Sequence, residues 1–102
     1  MSQSSDDNHL YSDMTLLCVD DERIILRTLQ RLFRRKPYKL LIADSAKEAL
    51  EIVKDTPIDV IVSDMRMPEM DGATLLEKVA KSHPSTYRIV LSGYADFDST
   101  VA

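Results

Sequence analysis

Four short apolar runs separated by amphipathic stretches predict an α/β fold, a doubly wound parallel sheet. Three observations carry that expectation. Strand-patterned and helix-patterned segments alternate along the whole chain, as right-handed βα units require. The apolar runs are continuous, the pattern of strands covered on both faces. Two of them, Leu16-Leu17-Cys18-Val19 and Val60-Ile61-Val62, end in acid, at Asp20-Asp21 and at Asp64. The C-terminal edge of an open parallel sheet is where ligands bind.

Residues 1–13 are polar and acidic, rich in Ser, Asp and Asn, and are expected to form a flexible leader; residues 14–102 form one domain. The first strand is expected at about Thr15 to Val19. Glu22 to about Arg35 follows as a helix with Ile25, Leu29, Leu32 and Phe33 on its inner stripe, ended by Pro37. Arg23, Arg27, Arg31 and Arg34 take the remaining surface, either as a solvated face or as a docking site for an acidic partner.

Lys39 to Ala43 reads as the second strand. Ser45-Ala46-Lys47-Glu48 has the pattern of a capping box, opening a helix whose Ala49, Leu50 and Val53 face inward and which Thr56-Pro57 closes. Ile58 to Ser63 is the third strand, Met65 to Gly72 a loop, and Ala73 to Lys81 a helix with Leu75, Leu76 and Val79 inside. His83-Pro84 breaks that helix. Arg88 to Ser92 is the fourth strand, Gly93-Tyr94 a turn, and a further helix opens at Asp96.

The chain has 102 residues, 44 % of them hydrophobic and 29 % charged, enough for a single modest core. A net charge of −4 argues against general nucleic-acid binding, which needs a basic electrostatic footprint. The single cysteine, Cys18, lies in an apolar run and reads as core filler. No stretch is long and apolar enough for a membrane span, and no signal-peptide pattern is present, so a cytoplasmic location is expected. His9 and His83 have no metal-ligand neighbours in sequence and read as surface residues.

Three carboxylates converging on one sheet edge would repel one another unless a hard cation neutralised them, and an all-oxygen site of this kind suits magnesium. Helix capping accounts for one acid of the Asp20-Asp21 pair and a turn motif for Asp64, but neither explains the convergence of three. Met65, Met67 and Met70 read as loop packing, with Pro68 and Gly72 fixing the loop's shape.

An Asp-Asp pair after the first strand, an Asp ending the third with Met-Arg-Met-Pro-Glu-Met-Asp-Gly behind it, and Leu-Ser-Gly-Tyr-Ala-Asp ending the fourth resemble the receiver domains of two-component response regulators. The match spans about Met14 to Ala102. It implies a flavodoxin-like topology with strand order 2-1-3-4-5 and a signalling domain rather than an enzyme in the ordinary sense. Asp64 would be the phosphoacceptor, taking its phosphoryl group from a sensor histidine kinase, a phosphotransfer protein or a small acyl phosphate. Asp21, Asp64 and the main-chain carbonyl of Arg66 would ligate Mg2+, with Asp20 acting through a bridging water. Ser92 would hydrogen-bond the phosphoryl group, and Arg66 and Tyr94 would modulate the lifetime of the acyl phosphate.

Receivers of this family continue through a fifth strand, ending in a lysine, and a fifth helix. Nothing in this sequence corresponds to them, and neither Lys78 nor Lys81 stands at the lysine's place. Slower phosphotransfer is therefore expected, together with a fourth strand, Ile89-Val90-Leu91, that is left as an apolar edge and a template for self-association. The competing expectation is an interaction module that works without phosphate, by dimerising or by titrating a kinase. A haloacid-type phosphatase also uses a strand-end aspartate, but it needs a second acid where this chain has Arg66.

Overall fold

The computed structural model describes residues 14–91. The expected leader, Ser92, Tyr94 and the helix opening at Asp96 lie outside the described residues. Within them the chain alternates as anticipated: β1 (Thr15–Val19), α1 (Arg23–Leu32), β2 (Lys39–Ala43), α2 (Ala46–Asp55), β3 (Val60–Asp64), α3 (Gly72–Ser82) and β4 (Tyr87–Leu91). The strands form one parallel sheet in the order β2-β1-β3-β4. This is the flavodoxin-like order expected from the sequence.

Side chains alternate between the faces of a strand. Leu17, Val19, Ala43 and Ile61 therefore share one face, and there they meet Ala46, Ala49 and Val53 of α2 and Leu75, Leu76 and Val79 of α3. Each Leu, Ile or Val among them taken fully out of water contributes about 1.5–3 kcal/mol, so this face supplies most of the hydrophobic stabilisation among the described residues. Helix α1 lies apart from that cluster. Its one fully buried residue, Leu26, shares a groove with Ile42, which alternates with the residues of the α2–α3 face.

Two sequence expectations need correction here. Helix α1 ends at Leu32 with Phe33 as its C-cap, three residues short of Arg35 and before Pro37 can act. Its inner stripe is Leu26, with Leu29 and Phe33 half-buried, whereas Ile25 and Leu32 are 41 % and 63 % exposed. At the helix start the Asp20 carboxylate accepts the Glu22 N–H at 2.9 Å, and Leu26, one residue past Ile25, is the residue that the helix buries. Strand β3 starts at Val60, two residues later than expected, and includes Asp64 as its last residue.

The helix caps follow the sequence closely. Ser45 accepts the Glu48 N–H at 3.1 Å, while the Glu48 carboxylate accepts from Asp44 N–H at 2.8 Å, one residue further out than a reciprocal capping box. Asp71 caps α3 by accepting the Thr74 N–H at 2.8 Å, and the Thr74 N–H and hydroxyl hold its carboxyl below the usual carboxylate range.

The correction to α1 has a direct test in urea denaturation of two variants. Leu26→Ala is expected to cost about 2–3 kcal/mol and Ile25→Ala less than about 1 kcal/mol. Equal losses would restore the stripe expected from periodicity.

Candidate functional site

Parallel pairing brings the acids together. Val19 of β1 is in register with Ser63 of β3 and with Ala43 of β2, and Asp20 extends the ladder by donating its N–H to the Ala43 carbonyl at 3.1 Å. Asp20 thus stands one residue past Val19, and Asp64 one residue past Ser63, on the same edge. One carboxylate oxygen from each of Asp20, Asp21 and Asp64 lies within 4.8 Å of the others. Asp20 is only 9 % exposed, Asp64 is half-buried and Asp21 is open to solvent.

The capping role that competed for these acids is not what they do. The N-cap of α1 is Glu22, without a side-chain cap bond, and Asp21 takes no part in it. Asp20 is held by the Glu22 N–H instead. Burial pushes the Asp20 carboxyl above its ordinary range; the Glu22 N–H pulls it back in part, and the negative charges of Asp64, Asp21 and Glu22 raise it further. The donor set is all oxygen and all anionic, and it is mutually repulsive, so it fits a hard divalent cation and gives no soft metal a ligand.

The backbone around Asp64 is pinned on several sides. The Ser63 hydroxyl, fully buried, donates to the Asp64 carbonyl at 2.9 Å, and the next N–H, of Met65, donates to Leu91 of β4 at 3.1 Å. Gly72 then brings the start of α3 back against the same peptide, its N–H donating to the Met65 carbonyl at 2.8 Å. A Cβ on Gly72 would collide with the Asp64 carbonyl oxygen and would lie 3.0 Å from its carbon and 3.1 Å from the Met65 Cα. Glycine is needed here for close approach rather than for an unusual dihedral. The positive φ of the loop falls on Glu69 at 72°, where the Met70 N–H reaches the Pro68 carbonyl at 2.7 Å in a γ-turn. Met67 and Met70 pack on the core, as the reading of the methionines as loop packing anticipated.

Of the residues singled out from sequence, Asp20, Asp21 and Asp64 are brought together. Arg66 lies two residues past Asp64, exposed, on a shallow groove lined also by Met65, Met67, Pro68 and Asp71. Ser92 and Tyr94 lie outside the described residues. Ser63 and the close approach at Gly72 were missed. The first had a signal in the sequence, a lone hydroxyl inside an apolar strand next to the acid.

The family model for the response regulator receiver domain matches residues 16–102. The sensor kinase CckA of Brucella abortus is 40 % identical over 89 residues, which make up 85 % of this chain. The chain spans 9–21 % of the length of the curated relatives it matches. Among solved structures, a protein from Neptuniibacter caesariensis superposes with a TM-score of 0.80 at 46 % identity, covering 89 % of this chain and 67 % of that one. A CheY-like receiver domain protein from Methanospirillum hungatei does so with a TM-score of 0.77 at 31 % identity, covering 86 % and 70 %.

The crowding of the acids predicts a pH-dependent cost. With the folded-state pKa of Asp20 raised above its unfolded value of about 3.9, the folded chain binds this proton more tightly than the unfolded one. Stability therefore falls as pH rises from about 3.9 through the raised value, and levels off above it. Asp20→Asn keeps the acceptor for Glu22 N–H and removes the charge. In urea denaturation with chelator present, the variant should match wild type near pH 3.5 and exceed it at pH 7. A variant less stable at pH 7 would contradict the repulsion.

Proposed function

Because this chain belongs to the response regulator receiver domain family, we propose that it accepts a phosphoryl group on Asp64 in a magnesium-dependent two-component relay. The observation that supports this most is the convergence of Asp20, Asp21 and Asp64 within 4.8 Å at the C-terminal edge of the sheet. A structural role for any one of these acids leaves the other two without a reason to be there. The donor, as for the family, would be a phosphohistidine on a sensor kinase or phosphotransfer protein, or a small acyl phosphate. The domain would work in the cytoplasm; no helix among the described residues is long and apolar enough to cross a membrane.

An oxygen of the Asp64 carboxylate attacks phosphorus, forming the new O–P bond as the P–N bond to imidazole, or the P–O bond to acetate, breaks. The leaving imidazole keeps the electron pair and gains its proton from solvent. The main chain at Asp64 is held by Ser63, Met65 and the close-lying Gly72, so that the backbone carrying the nucleophile need not be ordered during the reaction. Asp20, Asp21 and Asp64, with the main-chain carbonyl of Arg66, would hold Mg2+. Bound there, the ion supplies positive charge against the carboxylates and the equatorial phosphoryl oxygens. Ser92 would donate a hydrogen bond to the transferred group, while Arg66 and Tyr94 would set how readily water reaches it.

Mixing the chain with Mg2+ and acetyl phosphate should add one phosphoryl group by intact-mass measurement, and none to Asp64→Asn, which keeps the shape and loses the nucleophile. Calorimetry should show Asp21→Ala weakening Mg2+ binding by more than the roughly 10–100-fold that loss of an outer-shell partner costs. Prompt labelling of Asp64→Asn would mean that another residue is the acceptor.

A second reading, a phosphate-independent interaction module, is favoured by one observation. Every residue of β4 is exposed, with Tyr87 at 67 % and Leu91 at 53 %, and among the described residues no strand pairs with its outer edge. Apolar side chains beside free backbone groups are a template for strand pairing, and two-fold self-association through β4 is the simplest outcome. Light scattering should show the mass rising above 11.6 kDa with concentration. A constant 11.6 kDa into the millimolar range would exclude it.

A further inference from the structure

One buried polar side chain stands where an apolar one would serve the core as well. Ser63 is fully buried. It alternates with Ile61 on β3 and is in register with Val19 of β1, so it belongs to the face that Leu17, Val19 and Ile61 pack against α2 and α3. A hydroxyl moved from water into such surroundings is unfavourable unless it is hydrogen-bonded, and a single neutral bond does little more than offset that. The bond it makes is to the Asp64 carbonyl, at 2.9 Å. That bond runs from one residue to the next and ties no second element to the sheet. Neither packing nor cross-linking accounts for a serine at this position.

What the bond fixes is the peptide that leaves Asp64. The carbonyl of that peptide accepts from the Ser63 hydroxyl, and its N–H, that of Met65, donates to the Leu91 carbonyl at 3.1 Å. A peptide is planar, so holding both of its polar groups sets the ψ torsion of Asp64. Turning that torsion leaves the Asp64 side chain where β3 puts it and swings the chain that follows, Met65 and Arg66. Helix α3 bears on the same place: the Gly72 N–H donates to the Met65 carbonyl at 2.8 Å, and a Cβ on Gly72 would collide with the Asp64 carbonyl oxygen. The oxygen that Ser63 holds is thus the one that α3 crowds.

We propose that Ser63 is a positioning residue for the metal site: its buried hydroxyl fixes the Asp64–Met65 peptide, and through it the place of the Arg66 main-chain carbonyl relative to the carboxylates of Asp20, Asp21 and Asp64. The inference rests on the reading of these groups as the Mg2+ ligands. Ser63 itself lies on the core face and acts through the peptide alone. Without the hydroxyl the peptide is free to tilt and the Arg66 carbonyl is no longer held in place. The carboxylates stay together, because the register of β1 with β3 places them. The site therefore persists and its affinity falls.

Threonine and valine have nearly the same shape, and only threonine keeps the hydroxyl. The test is calorimetry of Mg2+ binding to the whole chain as wild type, Ser63→Ala, Ser63→Thr and Ser63→Val, with urea midpoints in chelator to follow the metal-free fold. Ser63→Ala and Ser63→Val should bind Mg2+ roughly 10-fold more weakly, the lower end of what loss of an outer-shell partner costs. Ser63→Thr should bind as wild type does. The Thr and Val chains share whatever strain the added methyl brings, so the difference between their affinities reads the hydroxyl. A serine that only fills the core would shift the urea midpoints and leave the affinities equal, and that result would overturn the assignment. Equal affinities of the Thr and Val chains would overturn it as well. A wild type that binds no Mg2+ would remove the magnesium reading and this role with it, an outcome distinct from binding that does not depend on Ser63.

Discussion

The backbone pairing of β1 with β3 is the constraint on which the site depends. Register in a parallel pair is fixed rung by rung, and here Leu16, Leu17, Cys18 and Val19 stand opposite Val60, Ile61, Val62 and Ser63. A slip of one residue would turn Leu17 and Ile61 away from α2 and α3 and would part Asp20 from Asp64 in the same movement. The core and the acidic cluster are thus selected together. The hydrophobic face supplies the energy that holds the register, and the register holds three like charges closer than they would stay by themselves.

That arrangement explains an asymmetry of the domain. The α2–α3 face is closed, with Leu17, Ile61, Leu75 and Val79 fully buried. Helix α1 buries only Leu26 of its own residues and leaves Ile25 and Leu32 in contact with water, and among the described residues β4 is exposed as well. Repulsion among the acids works against folding, and the burial on the closed face works in its favour. The loop after Asp64 adds to the cost, since Glu69 adopts a dihedral that favours glycine. Local cost concentrated beside a reactive group, with the compensation placed in the core, is what a site that must present charge requires.

Much of this was legible in the sequence, for reasons specific to particular residues. Strand order and the three acids could be read because apolar runs ending in Asp are a one-dimensional pattern, and because the motifs at the ends of three strands resemble a known family. The inner face of α1 could not, because Ile25 and Leu26 are both apolar and periodicity alone does not choose between them. The choice is made by how the helix packs on the sheet, which a one-dimensional pattern does not record. Gly72 was read as fixing the loop's shape, and it does so by admitting the Asp64 carbonyl against the first turn of α3.

The Gly72 contact also bears on how the site is built. Asp64 is the last residue of its strand, where backbone would ordinarily fray, yet its carbonyl accepts from the buried Ser63 hydroxyl and the following N–H is bonded to β4. With α3 pressed against the same peptide, the main chain at Asp64 has little freedom left, while its carboxylate stays half-exposed. The backbone is thus fixed while the residue that carries the carboxylate stays reachable from solvent. Asp20 and Asp21 divide the remaining work by exposure: Asp20 is buried and costly to ionise, and Asp21 is open and readily solvated. A hard cation held by these acids would supply positive charge against all three, and Asp20, the least hydrated, would gain most from it.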